Sequence, residues 1–272
     1  MRISLIFVVL YTCIVLPVLA DDTFVKIAPG INGKLHLPKN IISPTRIVLM
    51  LHGWNGDMDE VGHLYGDLAH QLGGRGMASL RFNFSGEGER VGYVVTSTLD
   101  SRIAETILAY QYLRTQYPEA IIGVQGFSLG GLTAMAVATD HPVWFQTMVL
   151  WSAAESMNTK RDTAYSEASQ QAMRKGSAVY STWTDITLTR EHLASFVGVD
   201  VSLKLSEYPG PLLSIRGDHD YVPSNERKWF SLLPTQDKAF ILIGGADHIF
   251  NVLEVPRPAY SERVIEETIG WF

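Results

Sequence analysis

Residues 121–131 read Ile-Ile-Gly-Val-Gln-Gly126-Phe127-Ser128-Leu129-Gly130-Gly131 and run on into Leu-Thr-Ala-Met-Ala-Val-Ala-Thr at 132–139. An apolar run of strand length leads into Gly-x-Ser-x-Gly, and a stretch of small and apolar residues suited to a helix follows. A serine at so sharp a strand-to-helix turn needs a strained backbone, and side chains at the flanking glycine positions would collide with their neighbours. The pattern is that of a nucleophile elbow, with the Ser128 hydroxyl projecting from the end of a sheet.

Working outward, Arg46 to Leu51 is a second continuous apolar run, as expected of a strand buried on both faces. A shorter strand is expected at 33–37. Further strands are expected at 77–84, 147–151, 211–216 and 239–243, and helices at 58–72, 98–116, 132–139 and 260–271. Strand and helix alternate, so the sheet is predicted to be mainly parallel and flanked by helices, an α/β fold. The alternation lapses at 155–207, which is polar and mixed. A structureless connection of that length is rare in a compact domain, so this segment is expected to be a small cap insertion, of short helices or a hairpin.

The 272 residues are 46% hydrophobic and 18% charged, the balance of an ordinary globular protein, and their size suits one α/β domain over 21–272. A formal net charge of −6 with no basic run gives a nucleic-acid partner no electrostatic support, and a small neutral or apolar substrate fits better. Residues 1–20 stand apart. Arg2 is their only charge, Ile3 to Leu16 is almost unbroken apolar, and Val-Leu-Ala precedes Asp21. This is the form of a signal peptide cleaved after Ala20, giving an exported protein with no stable membrane insertion after its removal. As an anchor the run would span only ~21 Å at ~1.5 Å per residue, short of a ~30 Å hydrocarbon core. The one cysteine, Cys13, lies inside it, so the mature chain would carry no disulfide.

Ligands of open parallel sheets bind beyond the carboxyl ends of the strands, which directs attention to the residue following each strand. Ser128 follows one, Gly-Asp218-His219-Asp220 another, and Gly-Gly-Ala-Asp247-His248 a third. A serine hydroxyl needs an imidazole to take its proton, and the imidazole needs a carboxylate to fix its tautomer and steady its charged form. Ser128 and His248 fill two of these roles, and Asp220 and Asp218 compete for the third. Acyl transfer also passes through an oxyanion. The backbone N–H of Leu129 would stabilise it, with a second from Trp54 in the His52-Gly53-Trp54 turn after the first buried strand. Trp54 is equally suited to core packing or to lining an acyl pocket.

Leu-His-Gly-Trp54, the segment 78–88, Gly126-Phe-Ser-Leu-Gly-Gly131, Gly217-Asp-His-Asp-Tyr-Val-Pro223 and Gly245-Ala-Asp-His248 occur in the order that marks the α/β-hydrolase superfamily. From about Gly33 to Phe272 the chain resembles its small-capped serine esterases, including feruloyl esterases and serine-aminopeptidase-like hydrolases. The resemblance implies an α/β-hydrolase fold and Asp220 as the acid. It also implies hydrolysis of a carboxylic ester through an acyl-enzyme, without cofactor or metal. Acyltransferase, thioesterase and amidase or peptidase activities use the same triad, and a silent binding protein would keep the fold. Ser85 stands where relatives usually carry Arg, and Arg90 near where they carry Ser, which bears on substrate contacts in that loop. His52, His63 and His70 lack metal-ligand spacing. Tyr165, Tyr180, Trp183 and Phe196 are expected either to roof the pocket or to hold the cap down.

Overall fold

The computed structural model describes residues 22–88, 94–157, 163–181 and 185–272. The expected export segment 1–20 with Cys13, together with Arg90 and Trp183, lies outside the described residues.

The chain opens with β1 (Asp22–Ala28) and β2 (Ile31–His36), an antiparallel hairpin, followed by β3 (Arg46–Leu51). A 3-10 turn at Val61–His63 leads into α1 (Leu64–Gly74) and β4 (Ala78–Phe82). The short β5 (Val94–Val95) precedes α2 (Leu99–Gln116), whose start is fixed by a capping box between Thr98 and Ser101. Then come β6 (Ile121–Phe127), α3 (Leu129–Asp140) and β7 (Met148–Trp151). After the cap, β10 (Leu212–Gly217), α6 (Glu226–Leu232), β11 (Lys238–Ile243) and α7 (Tyr260–Trp271) complete the domain.

Eight strands form one sheet in the order β1-β2-β4-β3-β6-β7-β10-β11. From β4 to β11 every pairing is parallel, and β1 and β2 are added antiparallel at one edge. Burial explains the centre. β3, β6 and β7 are apolar along almost their whole length because both faces are covered: α2 and α3 pack on one, α1 and α7 on the other. Two apolar clusters follow from this, one on each face, holding Leu49, Val124 and Leu132 on one side and Met50, Trp151 and Val264 on the other.

The 155–207 stretch contains α4 (Thr163–Lys175), β8 (Ser177–Ser181), β9 (Asp185–Thr189), α5 (Arg190–Ala194) and a 3-10 turn at Val201–Glu207. Helices and a hairpin are thus both present. β8 and β9 alternate buried and exposed residues and pair with β5 in a separate three-stranded sheet, β5-β9-β8. Their buried side, with Tyr165, Ala172, Tyr180 and Ile186, forms its own small core, against which Trp54 packs. Phe196 belongs instead to the main core. Tyr165 and Tyr180 therefore hold the cap against the loop after β3, and Phe196 ties its far end to the body.

β1 was not expected from sequence. It is largely exposed and carries no strong apolar run, and it is held by pairing and by charge. Arg81 of β4, its side chain 1% exposed, reaches both carboxylate oxygens of Asp22 and, at 2.9 Å, Asp59; His36 Nδ1 lies 3.0 Å from Asp22. Burial works against ionisation of Asp22, but hydrogen bonds from His36 and Arg81 outweigh it and hold the carboxyl well below the ordinary carboxylate range. A depressed acid stabilises the fold above its unfolded pKa and loses that contribution as pH falls. Asp22→Asn is therefore expected to cost about 1–2 kcal/mol at neutral pH. The deficit should shrink below about pH 4. Urea titrations at the two pH values check this, and an equal deficit at both would refute the ionic account.

Candidate active site

The elbow has the geometry its sequence implies. Ser128 sits between β6 and α3 with φ 52° and ψ −113°, a conformation that L-residues rarely adopt. Its amide donates to Trp151 O at 2.8 Å and its carbonyl accepts from Gly131 N at 3.0 Å, so the strained residue is pinned from both sides. At Gly130 an added Cβ would sit 1.9 Å from Leu51 O and 2.6 Å from His52 O. The first turn of α3 thus presses directly on the end of β3, a contact that only glycine permits.

Three side chains from three loops meet at this point. His248 Nε2 lies 3.0 Å from Ser128 Oγ, and His248 Nδ1 lies 2.7 Å from Asp220 Oδ1. Ser128 and His248 are each 7% exposed, and the Asp220 side chain is 1% exposed. The Phe127 and Tyr221 rings flank the imidazole at 5.2 and 4.4 Å. Geometry also separates the two aspartates: Asp218 Oδ1 accepts from Gly245 N at 2.7 Å and so shapes the turn after β11, while Asp220 faces the histidine.

The carboxylate is itself held. Asp220 Oδ1 accepts from Val222 N at 2.8 Å. Arg216, buried at the end of β10, reaches Asp220 Oδ2 at 3.4 Å, Val222 O at 2.7 Å and Ala153 O at 2.8 Å, while its Nε donates to Glu226 at 2.7 Å. Arg216 and Glu226 were not anticipated. The one signal was a cation closing an otherwise apolar strand, which has to find partners when both faces are covered.

Leu129 opens α3 and is 1% exposed; Trp54 follows β3 in the segment that α3 touches, so their amides belong to two chain segments in contact at the same end of the sheet. The Trp54 ring meets Tyr165 edge-on at 5.8 Å and Tyr180 at 6.3 Å. The turn carrying Trp54 is gripped by several buried groups. Arg102 of α2 donates to His52 O at 2.6 Å, Glu87 accepts from Asn55 N at 3.2 Å, and Glu60 accepts from Gly53 N at 2.5 Å. The ring of His52 closes the set, with Nδ1 at 2.8 Å from Gly53 O and Nε2 at 3.0 Å from Phe84 N. Burial lowers its pKa to about 4, so it is neutral, with the proton on Nδ1. His52 is thus a structural histidine. His63 is an exposed neighbour of Asp67, and among the described residues no three His, Cys, Asp or Glu side chains gather as a metal site would require.

An α/β sheet of this order, with an elbow serine at the carboxyl end of a central strand and a histidine and carboxylate on later loops, defines an α/β hydrolase. A family model described as serine aminopeptidase, S33, matches residues 42–200, more than half of the chain. The chain belongs to this hydrolase family. The match contains Ser128, whereas Asp220 and His248 lie beyond it. A monoglyceride lipase of Mus musculus is 28% identical over 111 residues, which are 40% of this chain and 35% of the mouse protein, so the match spans about a third of that relative. Among solved structures, Est1E from Butyrivibrio proteoclasticus superposes with a TM-score of 0.66 at 17% identity, covering 92% of this chain and 98% of Est1E. A monoacylglycerol lipase of Paleococcus ferrophilus gives 0.63 at 17% identity, covering 89% and 97%. At such identities the likeness is one of fold.

Proposed function

We propose that this chain is a serine-dependent carboxylic ester hydrolase working through an acyl-enzyme. The observation that carries the reading is the unbroken relay from Asp220 through His248 to Ser128, with separations of 2.7 and 3.0 Å. His248 Nε2 takes the Ser128 proton as Oγ bonds to the ester carbonyl carbon, and the carbonyl oxygen becomes an oxyanion facing the amides of Leu129 and Trp54. The tetrahedral centre collapses, the carbon–alkoxy oxygen bond breaks, and His248 returns the proton to the departing alcohol. Water then repeats the sequence: His248 takes its proton, hydroxide attacks the acyl carbon, and Ser128 leaves and recovers the proton. Asp220 steadies the imidazolium at both stages.

Support for an ester over other acyl bonds comes from likeness: the mouse relative is by name a monoglyceride lipase, and one Est1E structure holds ferulic acid. The same reading takes residues 1–20 as an export signal, so that the acting chain begins at Asp21. One experiment tests both points. The chain expressed at full length in an exporting host is treated with a fluorophosphonate and analysed by peptide mass spectrometry. A phosphonyl adduct on Ser128 of a chain starting at Asp21 is expected. An intact Ser128 after prolonged exposure would rule out the nucleophile, and a retained residue 1–20 segment would rule out the export reading.

A further inference from the structure

Glu60 is an unusual residue for its position. It is 7% exposed, yet it adopts φ 61° and ψ 168°, a region used almost exclusively by glycine and costing of order 1–3 kcal/mol elsewhere. Its carboxylate folds back over the turn after β3: Oε1 accepts from Gly53 N at 2.5 Å and Oε2 from Val61 N at 2.9 Å. Among the described residues it forms no salt bridge. At Gly56 a Cβ would approach Oε1 to 2.7 Å, so the turn wraps tightly around the carboxylate. A side chain chosen only for stability would be apolar here, since an acid buried without a cation costs more than it returns.

The peptide that Glu60 grips, 52–53, is the neighbour of the 53–54 peptide that carries the Trp54 N–H. Arg102 holds the carbonyl of His52, and Glu60 holds the N–H of Gly53, so both ends of the 52–53 peptide are fixed. The following peptide, which carries the Trp54 N–H, is held at its carbonyl by His52 Nδ1 at 2.8 Å, so its orientation is fixed jointly by the ring of His52 and by the clamp on the peptide before it. Resting on the acyl-enzyme reading above, we propose that Glu60 is the positioning residue of the oxyanion loop, and that it must be ionised for the loop to hold its working shape.

The requirement follows from hydrogen-bond chemistry. A carboxylate accepts strongly from both N–H groups, whereas protonation turns one oxygen into a donor and a much poorer acceptor, which weakens one of the two bonds. Burial raises the Glu60 pKa to about 7, against the lowering effect of the two amides. The ionisable groups facing it are Asp57 from its own loop, whose charge raises the value further, Arg102 from α2, whose charge lowers it, and Tyr65 from α1. Asp59, its chain neighbour, is turned away into its pairs with Lys34 and Arg81. As pH falls through about 7 the clamp loosens and turnover falls with it.

Glu60→Gln copies the protonated state, because its NH2 faces one of the two N–H donors. Its kcat for a nitrophenyl ester at pH 8 should drop about 10- to 100-fold with KM changed less than about threefold. Affinity for a phenylboronic acid, which forms a tetrahedral adduct on Ser128, should fall by a similar factor. The ratio of kcat between the unsubstituted protein and the variant should be largest at pH 8 and shrink as pH falls through about 7, where Glu60 itself takes up a proton. In the unsubstituted protein the Gly53 and Val61 amide proton resonances should move together with a midpoint near pH 7; amides that do not titrate there would overturn the proposal, and that measurement stands even if the variant does not fold. So would a folded variant with unchanged kcat and boronate affinity. Fluorophosphonate labelling separates the two levels: an unsubstituted protein that is not labelled at Ser128 fails the enzyme reading itself, whereas labelling with an insensitive Glu60→Gln fails only this inference.

Discussion

Replacing Ser128 with alanine is expected to lower kcat/KM for a short aryl ester by about 10⁴-fold or more while leaving the folded state in place. The magnitude follows from what the substitution removes. In the proposed mechanism the relay from Asp220 through His248 has no function without an oxygen to deprotonate, and among the described residues no other hydroxyl is in hydrogen bond with His248 Nε2. What survives in that mechanism is the pair of amides proposed for the oxyanion, enough to polarise a carbonyl for slow attack by water. The fold is insensitive because Ser128 is held by its backbone: its amide bonds Trp151 O, and its carbonyl accepts from Gly131, Leu132 and Ala154. The cost of its positive φ is the same for alanine as for serine. Steady-state rates with a nitrophenyl acetate, beside a urea titration of both proteins, make the measurement. Full activity in a folded alanine variant would end the serine mechanism.

The contrast between residues that could be read in the sequence and those that could not has a physical basis. β3, β6 and the elbow are local patterns: an apolar run buried on both faces, then glycines where a Cβ has no room. Asp220 and His248 were found because strand ends in a parallel sheet converge, which is a property of topology and needs no contact information. Choosing Asp220 over Asp218 required resemblance, since both sit in the same turn, and only the coordinates distinguish the oxygen facing His248 from the one facing Gly245. Glu87 and Arg102 escaped notice for a shared reason. Charged residues in a loop or on an amphipathic helix ordinarily face solvent, and nothing nearby in the chain announces that these two, fifteen residues apart, will bury one another. Arg102 is the clearest case. It lies among Asp100, Glu105 and other polar residues of α2, yet its own side chain is fully buried. β1 was missed in the opposite way, because an exposed edge strand held by pairing and by Arg81 carries no apolar signature.

Arg102 also supplies the largest expected effect on stability. Its guanidinium is 0% exposed and each of its edges is used: Nη1 pairs with Glu87 at 2.5 Å, Nη2 donates to His52 O at 2.6 Å, Nε donates to Thr133 Oγ1 at 3.1 Å, and its plane lies 3.7 Å from the centre of the Phe84 ring. Glu87, equally buried, accepts also from Ser97 Oγ and Asn55 N. Burial alone would raise the Glu87 pKa, but Arg102 outweighs it and holds the carboxyl below its ordinary range. Arg102→Met keeps much of the packing and removes the charge, leaving a buried carboxylate without its cation; a loss of about 3–5 kcal/mol at neutral pH is expected. The pH dependence identifies the cause. In the unsubstituted protein the depressed Glu87 contributes stability above the unfolded carboxylate pKa and loses it in acid. In the variant burial is opposed only by weaker contacts such as the Ser97 hydrogen bond, the Glu87 pKa rises, and the group can protonate before the protein unfolds, so the deficit narrows as pH falls toward about 4. Adding Glu87→Gln to the variant should recover part of the loss at neutral pH, because a neutral amide is cheaper to bury than an unpaired charge. Urea titrations of the single and double variants at two pH values decide the matter. If Arg102→Met matched the unsubstituted protein, or if the double variant recovered nothing, the stability of this corner would rest on packing around Phe84 and not on the ion pair. Activity carries independent information, since Arg102 also grips the carbonyl of His52. The double variant, with its stability partly restored, should still turn over ester more slowly, because neither replacement rebuilds the bond that fixes the turn leading to Trp54.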